Sequence, residues 1–166
     1  MLAAVLVVPQ SVSAGRSAGL RRVSRLDSAL VVQVNAFRAA HGLVPLRVSP
    51  SLRAAATVHS TQMARLGYFS HNSANGGSFS SRIATYYSAQ GYRSWTVGEN
   101  LLWASPDVGA ARALKLWLAS PPHRANLLNP SWREIGLSSV HTVRAPGVYG
   151  NSPTTIVTAD FGARTR

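Results

Sequence analysis

The sequence is organised around the stretch VGENLLW, Val97–Trp103, in which one carboxylate stands in a mainly apolar run. That residue, Glu99, is one of only five acidic residues in the chain. Burying a carboxylate without a partner costs several kcal/mol or raises its pKa, so Glu99 requires polar partners. Histidines are available in two other motifs, Tyr-Phe-Ser-His ending at His71 and Ser-Pro-Pro-His-Arg containing His123. We therefore predict a solvent-reachable pocket in which Glu99 faces His71 and His123.

Two imidazoles and a carboxylate have three chemical uses. They are enough protein ligands for Zn²⁺ with an open position for water. They also suffice for acid–base chemistry without a metal, with Glu99 as the candidate catalytic base. Alternatively, the three groups satisfy one another and only brace the cleft. The first turn of a short helix at His123 disfavours imidazolium, whereas a facing carboxylate favours it, so the sequence leaves the charge of this ring open.

Three polar residues are predicted to lie beside this pocket. His59 falls on the apolar face of a helix, where a hydrogen-bonded core histidine is the commoner role. Asn100 follows Glu99 directly, and Ser120 precedes the His123 motif.

Several catalytic and binding signatures are missing from the sequence. There is no cysteine, no Gly-x-Ser-x-Gly elbow, and no His-Glu-x-x-His or phosphate-loop motif. No zinc-finger spacing or aromatic–basic RNA-binding pattern is visible either. These absences argue against thiol and serine hydrolases, helical zinc proteases, nucleotide-binding proteins and specific recognition of nucleic acid.

Length and composition fit one globular domain. The chain has 166 residues, of which 46% are hydrophobic and 13% charged, and this length can enclose a sizeable core. The net charge of +12, from 17 basic and five acidic residues, favours contact with anionic surfaces such as acidic lipids or wall polymers. However, every basic residue except Lys115 is arginine, and most are dispersed, so compositional bias is the favoured explanation over a dedicated anion-binding surface.

The N-terminal segment has the pattern of an export signal. Residues 1–14 contain an apolar run followed by small residues, although a positively charged start is missing. The segment is too short to span a bilayer, and a loosely docked terminus is the alternative. We predict a signal-like segment and a flexible, basic lead-in over residues 1–24, a folded domain over residues 25–166, a secreted or extracytoplasmic location, and no transmembrane segment.

Apolar periodicity predicts five helices. The first covers residues 25–40, with His41 at the end of its inner face, and the second follows the N-cap Ser49 and ends at Gly67, with Leu66 inward. A third helix starts after Ser78 and is closed by Gly91. The remaining two are a fourth helix opened by Ser105-Pro106 and a fifth, Pro121–Leu128, that is N-capped by Ser120.

Extended patterns predict three strands. They cover Thr96–Leu102, Glu134–Val143 and Thr154–Phe161, and the last two should pair as antiparallel neighbours.

The motifs occur in an order that resembles the CAP superfamily, also called SCP/PR-1-like, in its bacterial single-domain form. The resemblance spans about residues 27–162 and rests on Val34–Arg38 with Gly42–Leu46, Ala56–Ala64, Tyr68–His71, Phe79 with Arg82-Ile83, Gly98–Leu101, Trp117–Leu128, Ile135–Leu137 and Thr158–Gly162.

This resemblance implies an α+β fold: an α-β-α sandwich in which a central antiparallel sheet lies between two helical layers and carries a cleft. The family's cleft often holds two His and two Glu, which bind divalent cations such as Zn²⁺ in some members. His71, Glu99 and His123 correspond to three of the four, and the fourth position falls near Ser120. The resemblance thus implies a weakened cation site.

The predicted function is a secreted, monomeric binding or interaction module, without enzymatic activity, for a small ligand or a cell-envelope component. A weakly held divalent cation belongs to this hypothesis. The alternatives are a metal-assisted hydrolase acting on peptides or envelope polymers, and a purely structural His/Glu cluster.

Overall fold

Three long strands form the centre of the structure, a computed structural model that describes residues 19–166. They are β3 (Ser94–Ala104), β4 (Glu134–Ala145) and β5 (Ser152–Thr165), arranged antiparallel in the order β4–β5–β3. Two short strands pair with the free edge of β4, β1 (Arg21–Arg22) antiparallel and β2 (Arg47–Val48) parallel. The predicted pairing of the last two strands is confirmed. The central sheet is antiparallel as predicted, and only the two-residue strand β2 pairs in parallel.

Helices cover both faces of this sheet. The helices are α1 (Ser24–Ala40), α2 (Pro50–Leu66), α3 (Phe79–Tyr86), α4 (Ala110–Ala119) and α5 (Pro121–Leu127). One apolar cluster joins α1, α4 and α5 to the sheet face that includes Val157 and Phe161. A second joins α2 to the opposite face through Met63 and Ile156. Alternate residues of β5 thus serve two cores, and the predicted α-β-α sandwich is confirmed.

The caps of α2 lie where the sequence predicts them. Ser49 Oγ accepts a hydrogen bond from Leu52 N at 3.4 Å, and Pro50 occupies the first turn. Gly67 ends the helix in the left-handed region at φ 73°. A Cβ at Gly67 would lie 2.8 Å from the backbone of Pro146, so close packing as well as conformation requires glycine here.

Two predicted helix ends are wrong. Helix α3 ends at Tyr86. The N–H of Tyr87 still donates to Ile83 O, but Tyr87 leaves helical geometry at φ −116° and ψ 74° and is buried in the core, so Gly91 does not close the helix. Helix α4 begins at Ala110 and not after Ser105-Pro106, since the Ser105 hydroxyl donates to Pro153 O at 2.7 Å.

Three predicted side-chain roles also change. Ser120 precedes α5, but its side chain makes no capping hydrogen bond. His41 and Leu66, expected to face inward, are exposed, the latter by 61%. Leu66 is the last residue of α2, and His41 lies just beyond the end of α1.

Two polar residues of α1 anchor neighbouring loops. Asn35 exchanges two hydrogen bonds with the backbone of Leu46, at 2.8 and 3.0 Å. Arg38 is fully buried and donates to the carbonyls of Val44 at 3.1 Å, Leu127 at 2.8 Å and Asn129 at 3.0 Å. Buried carbonyls are costly when unpaired, so Arg38 fixes the segment after α5 against α1.

The predicted N-terminal lead-in is partly folded. Arg21 and Arg22 pair with His141 and Val140 of β4, so this part belongs to the domain. The rest of the predicted signal-like segment, up to residue 18, lies outside the described residues. Across residues 19–166, none of the helices has the length and apolarity needed to cross a membrane.

Candidate functional site

Glu99 lies in the middle of β3 with its side chain fully buried. Its Oε1 accepts a hydrogen bond from His71 Nδ1 at 2.8 Å. Its Oε2 accepts a charge-assisted bond from Nη2 of Arg82, whose side chain is only 5% exposed. Both carboxylate oxygens are therefore engaged, and the guanidinium compensates the buried negative charge.

Arg82 also organises the segment that carries His71. Its Nη1 donates to His71 O and to Ser73 Oγ, both at 3.1 Å. One side chain of α3 thus holds the carboxylate on the sheet and the backbone of the loop above it.

His59 lies behind Glu99, on α2, and is fully buried. Burial lowers the pKa of His59 to about 4, and the nearby Arg82 charge adds to this effect, although Glu99 opposes it. The ring is therefore neutral at physiological pH. Its Nε2 lies 2.9 Å from Ser70 O, an acceptor only, so Nε2 carries the proton. The 4.0 Å separation of Nε2 from Glu99 Oε2 is thus a polar contact and not an ion pair.

Asp160 is a second buried carboxyl at the same position of the sheet. It is the register partner of Glu99 on β5 and is fully buried. Burial first, and then the Glu99 charge, raise the pKa of Asp160 well above its usual value of 3.8. Neither oxygen of Asp160 has a donor among residues 19–166. A buried carboxyl group without a donor favours its neutral, protonated form, because ionisation would add a second, uncompensated charge beside Glu99.

The solvent side of this cluster opens into a groove of about 630 Å³, which we call the His/Glu groove. His71 and His123 both line it, together with Glu99 at its base. Burial, and then the proximity of His71, lower the pKa of His123, so this ring also tends to be neutral. The full lining is His71, Phe79, Val97, Gly98, Glu99, Asn100, Pro122, His123, Ala125, Asn126, Asn129 and Trp132.

Hydrogen bonds fix the wall of the groove that carries His123. Asn100 Nδ2 donates to His123 O at 3.1 Å, and Asn126 Nδ2 donates to Asn100 Oδ1 at 3.0 Å. Trp132 Nε1 donates to Asn126 Oδ1 at 3.0 Å. A Cβ at Gly98 would lie 2.8 Å from the side chains of Asn126 and Trp132, so only glycine fits on the strand here.

The predicted site residues are therefore distributed as follows. His71, Glu99 and His123 meet at one groove, Asn100 supports the His123 segment, and His59 lies behind the carboxylate. Ser120 does not line the groove, and its backbone serves the junction between α4 and α5.

The donors of the groove do not fit a resident zinc site as the structure arranges them. Glu99 is already bonded on both oxygens, and Ser120 supplies no carboxylate at the fourth position. Within residues 19–166, no group of three or more His, Cys, Asp and Glu side chains is placed to hold a metal ion. Zinc binding by His71, Glu99 and His123 stays a prediction.

Sequence reasoning missed Arg82 and Asp160 as members of the site. A signal for Arg82 was present, because Phe79, Arg82 and Ile83 share one helix face, and a basic residue on an apolar face requires a buried acid. Asp160 likewise interrupts an apolar strand. Their partnership with Glu99, however, depends on strand register and helix placement.

The fold and this groove define the class of protein. A profile of the Cysteine-rich secretory protein (CAP) family matches residues 31–152. The chain therefore belongs to the CAP family, although it contains no cysteine.

Known relatives agree with this assignment. The chain is 32% identical over 120 residues to the uncharacterized protein YkwD of Bacillus subtilis (strain 168), covering 72% of this chain but 44% of that relative. It resembles the crystal structure of an extracellular SCP-domain protein from Bacillus anthracis str. Ames, with TM-score 0.64 and 26% identity, over 86% of this chain and 41% of that one. An outer surface protein of Borrelia burgdorferi shares the fold, with TM-score 0.72 and 20% identity, over 89% of this chain and 99% of that one. The chain thus spans less than half of the two Bacillus proteins.

Proposed function

We propose that this CAP domain is a non-enzymatic binding module whose His/Glu groove holds a small ligand or a segment of a cell-envelope polymer. The observation that carries the proposal is the groove itself, because its volume of about 630 Å³ lies in the range of small-ligand sites. Its lining combines ring faces and apolar surface from Phe79, Val97 and Trp132 with polar groups from His71 and His123. Such a mixture provides contact area together with orientation.

The role of Glu99 favours binding over hydrolysis. A general base must approach within hydrogen-bonding distance of the proton it removes. The Glu99 side chain is fully buried and bonded to Arg82 and His71, so it acts on a ligand only through His71. Glu99 is thus a positioning residue, which holds His71 by Nδ1 and leaves Nε2 on the opposite side of the ring. The His71 side chain is 50% exposed and can reach a ligand.

The location proposed for the domain is extracytoplasmic. The Bacillus anthracis protein that it resembles at 26% identity is described as extracellular. A net charge of +12 would hold the domain near anionic envelope polymers, and such contact should weaken steeply with added salt. A monomeric state is part of the same proposal, and sedimentation analysis tests it.

Histidine NMR gives a direct test of the groove. The chain has five histidines, of which only His71 and His123 line the groove. Muropeptides and short peptides are the probes, titrated against labelled protein. Binding in the groove should shift the ring signals of these two, while exposed His41 serves as the internal control. Shifts lost in His123→Ala and retained in His41→Ala support the proposal.

Two outcomes would contradict it. If no muropeptide or peptide shifts the two groove histidines selectively, the groove is not a site for these ligands. If muropeptides or peptides are instead cleaved, and cleavage disappears in His71→Ala, the domain is a hydrolase that uses the oriented imidazole as its base.

Zinc titration by calorimetry tests the cation prediction separately. With Glu99 held by Arg82, we expect weak binding or none. Tight zinc binding that is lost in both His71→Ala and His123→Ala would show that Glu99 exchanges its bond to Arg82 for a bond to the metal.

A further inference from the structure

A second cavity lies on the other side of Arg82. It occupies about 430 Å³ between α2, residues 73–78 and α3, and it shares no lining residue with the His/Glu groove. Most of its lining residues carry a hydroxyl or amide group: Gln62, Ser73, Asn75, Ser78, Ser81, Thr85 and Tyr86. Nothing in the proposed function of the groove uses this cavity.

Two residues of the lining carry buried polar atoms without a protein partner. Gln62 Oε1 lacks a donor, and Arg82 Nε lacks an acceptor, among residues 19–166. The Arg82 side chain is almost wholly buried, because only 5% of it is exposed. One atom requires a hydrogen-bond donor and the other an acceptor, and a hydroxyl group can serve as either.

The charge of the cavity selects against ionic ligands. Arg82 is the only charged residue in its lining, and its guanidinium is already paired with Glu99. A carboxylate, phosphate or ammonium ligand would therefore lose hydration without gaining a free counter-charge.

The rim supplies an arranged set of hydroxyls and one aromatic ring. Ser78 Oγ lies 2.9 Å from both Ser80 Oγ and Ser81 Oγ and accepts from Ser81 N, so these hydroxyls are held in place. Tyr86, at the other end of α3, is 39% exposed and also lines the cavity. An amphipathic ring suits a ligand that has both C–H and O–H surfaces.

We propose that this α2–α3 cavity is a second binding site, for an uncharged polyhydroxylated ligand of the size of a short oligosaccharide. The hydroxyls of the sugar pair with the serines and the side-chain amide of Gln62, and one sugar face packs on Tyr86. A volume of about 430 Å³ falls within the range of small-ligand sites.

The test is a titration of the labelled full chain with cellotetraose, maltotetraose and N,N′-diacetylchitobiose, followed by NMR. Saturable shifts are expected at the side-chain amide of Gln62 and at the backbone amides of Ser78, Ser81 and Tyr86. Tyr86→Ala and Gln62→Leu should each weaken binding about tenfold, because each removes one anchoring contact. Gln33→Leu is the matched control, since Gln33 is also half-buried on a long helix but lines neither cavity.

Each other outcome overturns the proposal. It is wrong if none of the three sugars gives saturable shifts in the wild-type protein, or if binding survives both cavity variants unchanged. Shifts confined to His71, His123 and Trp132 would assign sugar binding to the His/Glu groove instead. Equal binding of carboxymethylated cellotetraose would refute the selection against charge.

Discussion

Replacing Asp160 by asparagine tests the electrostatics of the buried cluster most directly. Asparagine has nearly the same shape and cannot ionise. If Asp160 is protonated in the folded protein, the variant removes its titration and leaves the volume of the side chain almost unchanged.

The expected magnitude follows from proton linkage. The pKa of Asp160 is raised above 3.8 by burial and by the Glu99 charge. Above this value the unfolded chain releases a proton that the folded chain retains. The stabilisation from Asp160 is therefore complete at low pH and is lost as the pH rises toward the folded pKa, by about 1.4 kcal/mol per pH unit. The Asp160→Asn variant would carry no such slope.

The assay is urea denaturation of both proteins at a series of pH values, followed by fluorescence of the four tryptophans. The free energy of unfolding of Asp160→Asn minus that of wild type should increase with pH above about pH 4, where Asp160 of the unfolded chain ionises, with a slope of up to about 1.4 kcal/mol per pH unit until the folded protein also ionises. Taking the difference cancels the titrations that the two proteins share.

Asp107→Asn is the control, because Asp107 is exposed in the loop before α4. Its stability curve should run parallel to that of wild type. If the Asp160→Asn curve is also parallel to wild type, Asp160 is ionised in the folded protein. The conclusion that folded Asp160 keeps its proton is then refuted.

Three further perturbations have defined outcomes. Arg82→Met should lower the free energy of unfolding at neutral pH by about 3–5 kcal/mol, because it leaves the buried Glu99 charge unpaired. In denaturation experiments, the double variant with Glu99→Gln should regain part of the lost stability. Gly136→Ala should lower the free energy of unfolding by about 3 kcal/mol or prevent folding, since its Cβ would lie 2.0 Å from the backbone of α2. Gly109→Ala is the control: Gly109 has open space around it, so this variant should unfold near the urea concentration of wild type. Arg38→Met should lower the free energy of unfolding by about 3 kcal/mol through three unpaired carbonyls, and hydrogen exchange should increase after α5.

The site divides into a rigid base and a reachable rim, and this division bears on function. Glu99, Arg82, Asp160 and His59 are buried, and Arg82 compensates the charge of Glu99, so these groups set the shape and electrostatics of the groove. His71 at the rim is the group that the base presents to solvent. This arrangement favours binding of a ligand at a preformed surface. The muropeptide and peptide titrations followed at His71 and His123 test whether the domain only binds such ligands or also cleaves them.

Much of the local structure could be predicted from the sequence. Ser49 with Pro50 and Gly67 mark the ends of α2 because capping depends on neighbouring residues. The buried positions of α1 follow the helical period, because residues three or four positions apart lie on one face of a helix. The end of α3 and the start of α4 were placed wrongly, because burial of Tyr87 and the bond from Ser105 to Pro153 are long-range contacts that no local pattern contains.

The sequence by itself determined that Glu99 lies in an apolar strand, that such an acid requires partners, and that the chain has the ordered motifs of a CAP domain. Only the tertiary structure decided which partners it has, Arg82 on one oxygen and His71 on the other, and that a second buried acid, Asp160, lies opposite it on β5. The physical reason is the separation along the chain over which each effect acts. Helix and strand periodicity are set by residues a few positions apart, whereas pairing a buried charge depends on distances between elements that only the packed sheet and helices fix.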